Sequence, residues 1–319
     1  NPHVRFDEGE VAPAATPRRG SLLYKTITAY IDESGTKQKA ETEVADPKAF
    51  GVAVALILPE GTEEQFFTLL KEKMPNPPTD KTHVTDLESN QEAYRTAVYD
   101  AIKGLPEKAM VVYEVISATG YHKAEYEQFK LQFENFKRER KMSDIRPKIR
   151  QDNPNAQVEL LEGIVLKARA AVTDRYGEKD VKVRCVADKI DKPLYAALKE
   201  NLEAFDADAD EHKETVKGFN VKTGQELVGT ICSKLSEGVD AKLCEWEVQL
   251  GPKSDMGIFA ADIIANSLYH HLKSYVADNG CVSVNRSKKA VAGYQLEQYL
   301  VAGNSDMGIC DYSDLVYNN

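Results

Sequence analysis

Three aspartates stand where an acid has chemistry to offer. Asp32 closes the apolar stretch TITAYID (26–32), Asp188 follows VRCVA (183–187), and Asp262 interrupts IFAADIIANSL (258–268). Hard divalent cations take oxygen ligands, so carboxylates on two strand ends and a late helix form the donor set that Mg2+ or Mn2+ needs. Two such ions can clamp both sides of a scissile phosphate, and the chemistry in view is metal-assisted phosphodiester cleavage. A strand that simply ends in a turn is the plainer account of Asp32, because Asp, Glu, Ser and Gly are ordinary turn residues.

Periodicity supplies the elements that must carry these acids. Along 26–32, Ile27, Ala29 and Ile31 alternate with Thr28, Tyr30 and Asp32, so Asp32 ends one face of a strand. Gly35 then lets the backbone turn. Val183, Cys185 and Ala187 alternate with Arg184, Val186 and Asp188, and a run this apolar suits a strand buried on both faces. Open α/β sheets keep their sites at the carboxyl ends of strands, which is where both acids fall. The third acid belongs to a helix at 255–276 that is apolar nearly all round and therefore expected to be buried. An aspartate inside it is costly unless paired or metal-bound. Asp255, Asp262, Asn266 and Tyr269 form one polar stripe along it, which a solvent-facing edge would also explain.

Strand signals recur at 22–32, 49–59, 108–117 and 180–191, and helix signals at 62–74, 90–104, 192–205 and 255–276. A long helical stretch covers 121–177 with a break near IRPKIRQDNPNA, an acidic turn follows at 206–213, and 218–250 reads as strand-helix-strand. This order predicts an α/β fold, a mixed sheet flanked by helices. The expected organisation is a flexible tail over 1–20, then a single domain over 21–319 with a helical insertion at about 121–178.

The 319 residues carry a net charge of −10, which argues against broad electrostatic adhesion to nucleic acid or anionic membrane. Any polyanion contact needs a local basic patch, and 130–150 has eight basic side chains against three acidic ones. Lys137, Arg138, Arg140, Lys141, Arg146 and Lys148 are its candidate phosphate contacts, with Phe129, Phe133 and Phe136 at helical spacing to pack it down. A solvated helix face is the competing account. The five cysteines are scattered without a Cys-x-x-Cys, which points to free thiols in a reducing compartment. The apolar run at 49–58 is far short of the roughly 20 residues that span a bilayer. No signal-peptide core is seen over 1–21, so the expected setting is the cytoplasm with no membrane partner. Sharper motifs fail: DADADEHKETVK (206–217) has Glu211 and Lys217 where a calcium loop needs Gly and Glu. No Walker A loop is present, and Ser34 lacks the preceding glycine of a nucleophile elbow.

Taken in order, AYIDESG (29–35), THVTDL (82–87), VADKID (186–191) and FAADIIANSLYHHL (259–272) resemble the landmarks of domain-of-unknown-function family 3800. That family is regarded as ribonuclease H-like, and the resemblance spans about residues 24–275. It implies a metal-dependent nuclease with Asp32, Asp188 and Asp262 as acidic ligands. The family's glutamine a few residues before the helix aspartate is absent from DMGIFAAD (255–262). His83 and Asp86 belong to the resembling pattern. His83 has the titration range to orient a phosphate or protonate a leaving oxygen, although a loop histidine capping the next helix reads equally well. Resolvase-type relatives place a glutamate on an inner strand, making Glu114 a fourth ligand candidate, with a solvated edge-strand glutamate as the alternative. Glu33 is expected beside the site, supporting its ligands. The expectation is a nuclease or phosphodiesterase using Mg2+ or Mn2+ on nucleic acid. The alternative is a non-catalytic protein of the same fold that binds nucleic acid, a partner protein or a second copy of itself.

Overall fold

The computed structural model describes residues 25–35, 49–79, 91–117, 156–177, 181–206, 212–233, 243–281 and 288–301, with positions 120, 130, 131, 134, 137, 138, 145–147 and 284. The expected tail at 1–20 lies outside them. Eight strands are described: β1 (Lys25–Gly35), β2 (Gly51–Ile57), β3 (Met110–Ile116), β4 (Ile145–Pro147), β5 (Val181–Ala187), β6 (His212–Asn220), β7 (Glu226–Ser233) and β8 (Glu245–Leu250). The α-helices are α1 (Glu63–Lys73), α2 (Gln91–Lys103), α3 (Ala156–Tyr176), α4 (Lys192–Asp206) and α5 (Met256–Asn279).

The protein is α/β. Its main sheet has the order β3-β2-β1-β5-β8, antiparallel across β3, β2 and β1 and parallel across β1, β5 and β8. This architecture is compatible with a ribonuclease H-like fold. Strand alternation sends Tyr30, Val52, Val54 and Leu56 to one face, where α1, α2 and α5 cover them. Ile27, Ala29, Ile31, Ala53, Ala55 and Ile57 meet α3 and α4 on the other. Because β2 is buried on both sides, its sequence is a continuous apolar run rather than an alternating one. No described helix is long and apolar enough to cross a membrane.

One strand runs on past its expected end. β1 does not stop at Asp32 but runs on to Gly35, because β2 continues to pair with it there. Within the expected break of the helical stretch, 145–147 forms β4, antiparallel to β6, with Arg146 opposite Phe219. Pro147 favours this extended backbone, having no N–H to give a helix and restricting the residue before it. α3, the second half of that stretch, packs on the main sheet as one of its covering layers. Within 218–250, Glu226–Ser233 forms β7, hairpinned onto β6, where Val228, Thr230 and Ile231 favour strand, and Glu245–Leu250 forms β8, while 234–242 lie outside the described residues.

Candidate active site

β1 has two neighbours that let go of it at different points. Its parallel pairing with β5 ends at Ile31↔Ala187, whereas its antiparallel pairing with β2 continues from Asp32↔Val54 to Gly35↔Gly51. The sheet therefore opens beside Asp32, on the β5 side. Asp32 and Asp188 are the residues that follow this last pair on the two chain segments, so both stand at the point where the sheet opens.

Helix α5 brings the third acid, and two close contacts set its course along β1. Near its start, Gly257 lies against Tyr30, so tightly that a Cβ there would come within 2.3 Å of the ring. Further along, Tyr269 covers Gly35, where an added Cβ would sit 2.6 Å from the ring and φ is +88°. The twelve residues from Gly257 to Tyr269 rise about 18 Å as helix. The five residues from Tyr30 to Gly35 advance about 17 Å as strand. The two elements thus run in step, and Asp262 falls between the helix contacts as Asp32 falls between the strand contacts. Asp255 fixes the helix start by accepting the Gly257 and Ile258 N–H groups at 2.8 and 3.2 Å.

The result is a cleft of about 290 Å3 lined by Asp32, Glu33, Gln157, Asp188, Lys189, Ile190, Asp191, Leu194, Lys253 and Asp262. Asp32, Asp188 and Asp262 are all half-buried. The polar stripe on α5 is no solvent-facing edge: Asp255 caps, Asp262 lines the cleft, Asn266 is 7% exposed and Tyr269 stacks on Phe50. Asp32 Oδ1 accepts the Glu33 N–H at 2.7 Å, and Asp188 Oδ1 accepts the Lys189 N–H at 2.6 Å. Asp188 Oδ2 pairs with Lys253 Nζ at 3.2 Å. From the opposite face of the sheet, Gln157 of α3 donates to Glu33 Oε1 at 2.6 Å. The glutamate is thereby held in the cleft lining that also contains the three aspartates.

Oxygen donors dominate the lining, and neither thiol nor imidazole is among the lining residues, a composition that suits a hard cation. Asp32, Asp188 and Asp262 carry the oxygens such an ion would use. Among the described residues, no three acids, histidines or cysteines close up into a set that could hold one ion. The three aspartates share the cleft, and Asp188 is occupied by a lysine.

The remaining candidates fall elsewhere. Glu114 does not line the cleft and is no solvated edge residue. It is 3% exposed and pairs with Lys167 of α3 at 2.6 Å. His83 and Asp86 lie outside the described residues, as do Arg140, Lys141 and Lys148. Lys137 and Arg138 are helical, with Lys137 bonded to Glu134 at 3.1 Å, and Arg146 is on β4. The thiols of Cys185, Cys244 and Cys281 are free and buried. Burial pushes Cys185 up to about 12 and Cys281 to about 11, so neither is a thiolate at neutral pH. Lys253, Lys189, Asp191 and Gln157 line the cleft without having been singled out as site residues. Asp191 was visible as a second strand-end acid, whereas nothing in GPKSD (251–255) or NAQVE (155–159) announces the other chain segments.

No protein-family model matches the chain, and a search of curated proteins returned no significant match.

Proposed function

We propose that the protein is a divalent-metal-dependent nuclease or phosphodiesterase acting on nucleic acid, of the ribonuclease H-like kind that the motifs of family 3800 resemble. One observation carries the reading: Asp32 and Asp188 follow the last paired residues of adjacent parallel strands, and Asp262 lines the same cleft. They do not close around one point as they stand, and drawn together these three residues would hold Mg2+ or Mn2+, which supplies an activated water and neutralises charge at the phosphate. Gln157 orients Glu33 at the rim. His83 is the candidate proton donor to the leaving oxygen. Lys137, Arg138, Arg140, Lys141, Arg146 and Lys148 are the candidate contacts to the nucleic-acid backbone. Free buried thiols agree with a reducing setting such as the cytoplasm.

A second reading, a non-catalytic protein that binds nucleic acid, a partner protein or a second copy of itself, is favoured by the ammonium already seated on Asp188. Incubation with labelled single- and double-stranded DNA and RNA, with Mn2+ or with EDTA, separates the two. The expected result is Mn2+-dependent cleavage that EDTA abolishes and that Asp262→Asn lowers at least about a hundredfold with the fold intact. Cleavage at the wild-type rate by the variant overturns the assignment of Asp262, and no cleavage of any substrate favours the binder.

A further inference from the structure

Asp188 has its two oxygens committed differently. Oδ1 is held by the Lys189 N–H at 2.6 Å, and Oδ2, the other oxygen, carries Lys253 at 3.2 Å. A cation approaching Asp188 therefore meets the oxygen that the ammonium uses. The root of Lys253 is anchored on both sides. Gly251 N–H donates to Ala187 O at 2.8 Å, tying the loop to the end of β5, and Asp255 N–H donates to Pro252 O at 2.9 Å before capping α5. The backbone keeps its place at the rim, so the lysine can leave Asp188 only by swinging its four-carbon stem. Around it the cleft lining holds five acids, Asp32, Glu33, Asp188, Asp191 and Asp262, against two lysines, Lys189 and Lys253. Such an excess attracts a divalent cation, while an ammonium and a metal ion on one carboxylate oxygen repel each other strongly.

We infer that Lys253 is a built-in counter-ion that exchanges partners: a divalent cation takes Asp188, and the displaced ammonium, kept at the rim, engages a phosphate of the entering strand. Lysine suits the second position because it binds phosphate as a flexible point charge. The inference rests on the metal-dependent reading of the cleft and adds a residue that the three-aspartate reading lacks. Competition for one carboxylate is a reciprocal coupling between metal and lysine, so removing the lysine must tighten the metal.

Calorimetric titration of Mn2+ into the full chain tests the first half, comparing wild type, Lys253→Met, Asp188→Asn and the double variant. Lys253→Met is expected to bind Mn2+ about fivefold tighter or more, and this gain should vanish in the Asp188→Asn background. Binding of a labelled oligonucleotide with Ca2+ in place of Mn2+ tests the second half, and Lys253→Met should weaken it several-fold. Equal Mn2+ affinity in wild type and Lys253→Met overturns the exchange and leaves the metal site standing. So does unchanged oligonucleotide binding. Absence of Mn2+ binding in all four chains overturns the exchange and the metal-dependent reading together. Lys253 is only partly buried, with 28% of its side chain exposed, so the variant is expected to fold.

Discussion

Glu33 and Glu114 occupy one row of the main sheet, each opposite Ala53, and so project toward the same face, where α3 receives both. Their fates differ. Glu114 and Lys167 each expose 4% of their side chains, lie 2.6 Å apart, and the lysine also donates to Tyr113 O at 3.1 Å. Glu33 meets a neutral amide, Gln157, at the rim of an open cleft that also holds Asp32, Asp188 and Asp262. A charge shut in with its counter-charge is a structural unit whose partners cannot be exchanged cheaply. Acids that outnumber their cations beside water keep the capacity to bind something else. The difference lies in which helix residue comes down on each acid, not in the acids.

Breaking the closed pair should give the largest effect. Lys167→Met leaves Glu114 buried without its cation and is expected to cost about 3–5 kcal/mol in urea unfolding. Adding Glu114→Gln should restore much of this, because two neutral groups then share the site. The cleft counterpart, Asp188→Asn, breaks a partly exposed pair and should change stability by less than about 1 kcal/mol. Comparable losses at the two places would erase the contrast.

A middle-sized effect should come from the contact that holds the cleft together. Gly257→Ala places a methyl group against the Tyr30 ring, which is 6% exposed and tethered through its hydroxyl to Glu63 at 3.2 Å. Neither side can yield freely, so α5 must shift, at about 1–3 kcal/mol. Because Asp262 moves with the helix, the proposed Mn2+-dependent cleavage should fall further than this loss of stability explains. Unchanged cleavage and melting temperature would show that the approach of α5 to β1 does not set the cleft.

A third acid lies between the two extremes and should give the smallest effect. Glu247 of β8 bonds Lys182 and accepts from Arg184 Nε at 2.9 Å, tying β8 to β5 on a half-exposed surface. The Lys182 contact, then Arg184, holds its carboxyl below the ordinary value of 4.5 despite some burial. With the folded value depressed, the pair stabilises fully above that ordinary value, and the contribution is lost as pH falls through the lower folded value. Glu247→Gln should therefore lower the melting temperature slightly at pH 7 and not at all near pH 2. An equal difference at both values would mean that its charge contributes nothing.

Much of this was legible along the chain. The alternation through Ile27, Ala29 and Ile31, the apolar block 51–57 and the all-round apolar helix 256–279 are local patterns, and local patterns specify sheets, faces and buried helices. Asp32, Asp188 and Asp262 stood out because an acid at the end or in the middle of such a pattern breaks it. Where local pattern fell short, the reason was a partner elsewhere in the chain. β1 runs past Asp32 because β2 pairs with it to Gly35, and the expected break at 145–147 is a strand because β6 lies beside it.

The sequence by itself determined the element types, the two apolar faces and three conspicuous acids, since each follows from neighbours within a few residues. Only the tertiary structure decided which charges meet. That Lys167 closes over Glu114, that Lys253 sits on Asp188, and that Gly257 brings Asp262 to β1 depend on contacts between segments far apart in the chain. An ionisable group's role depends on its burial and on the charges around it, and both are properties of the packed molecule.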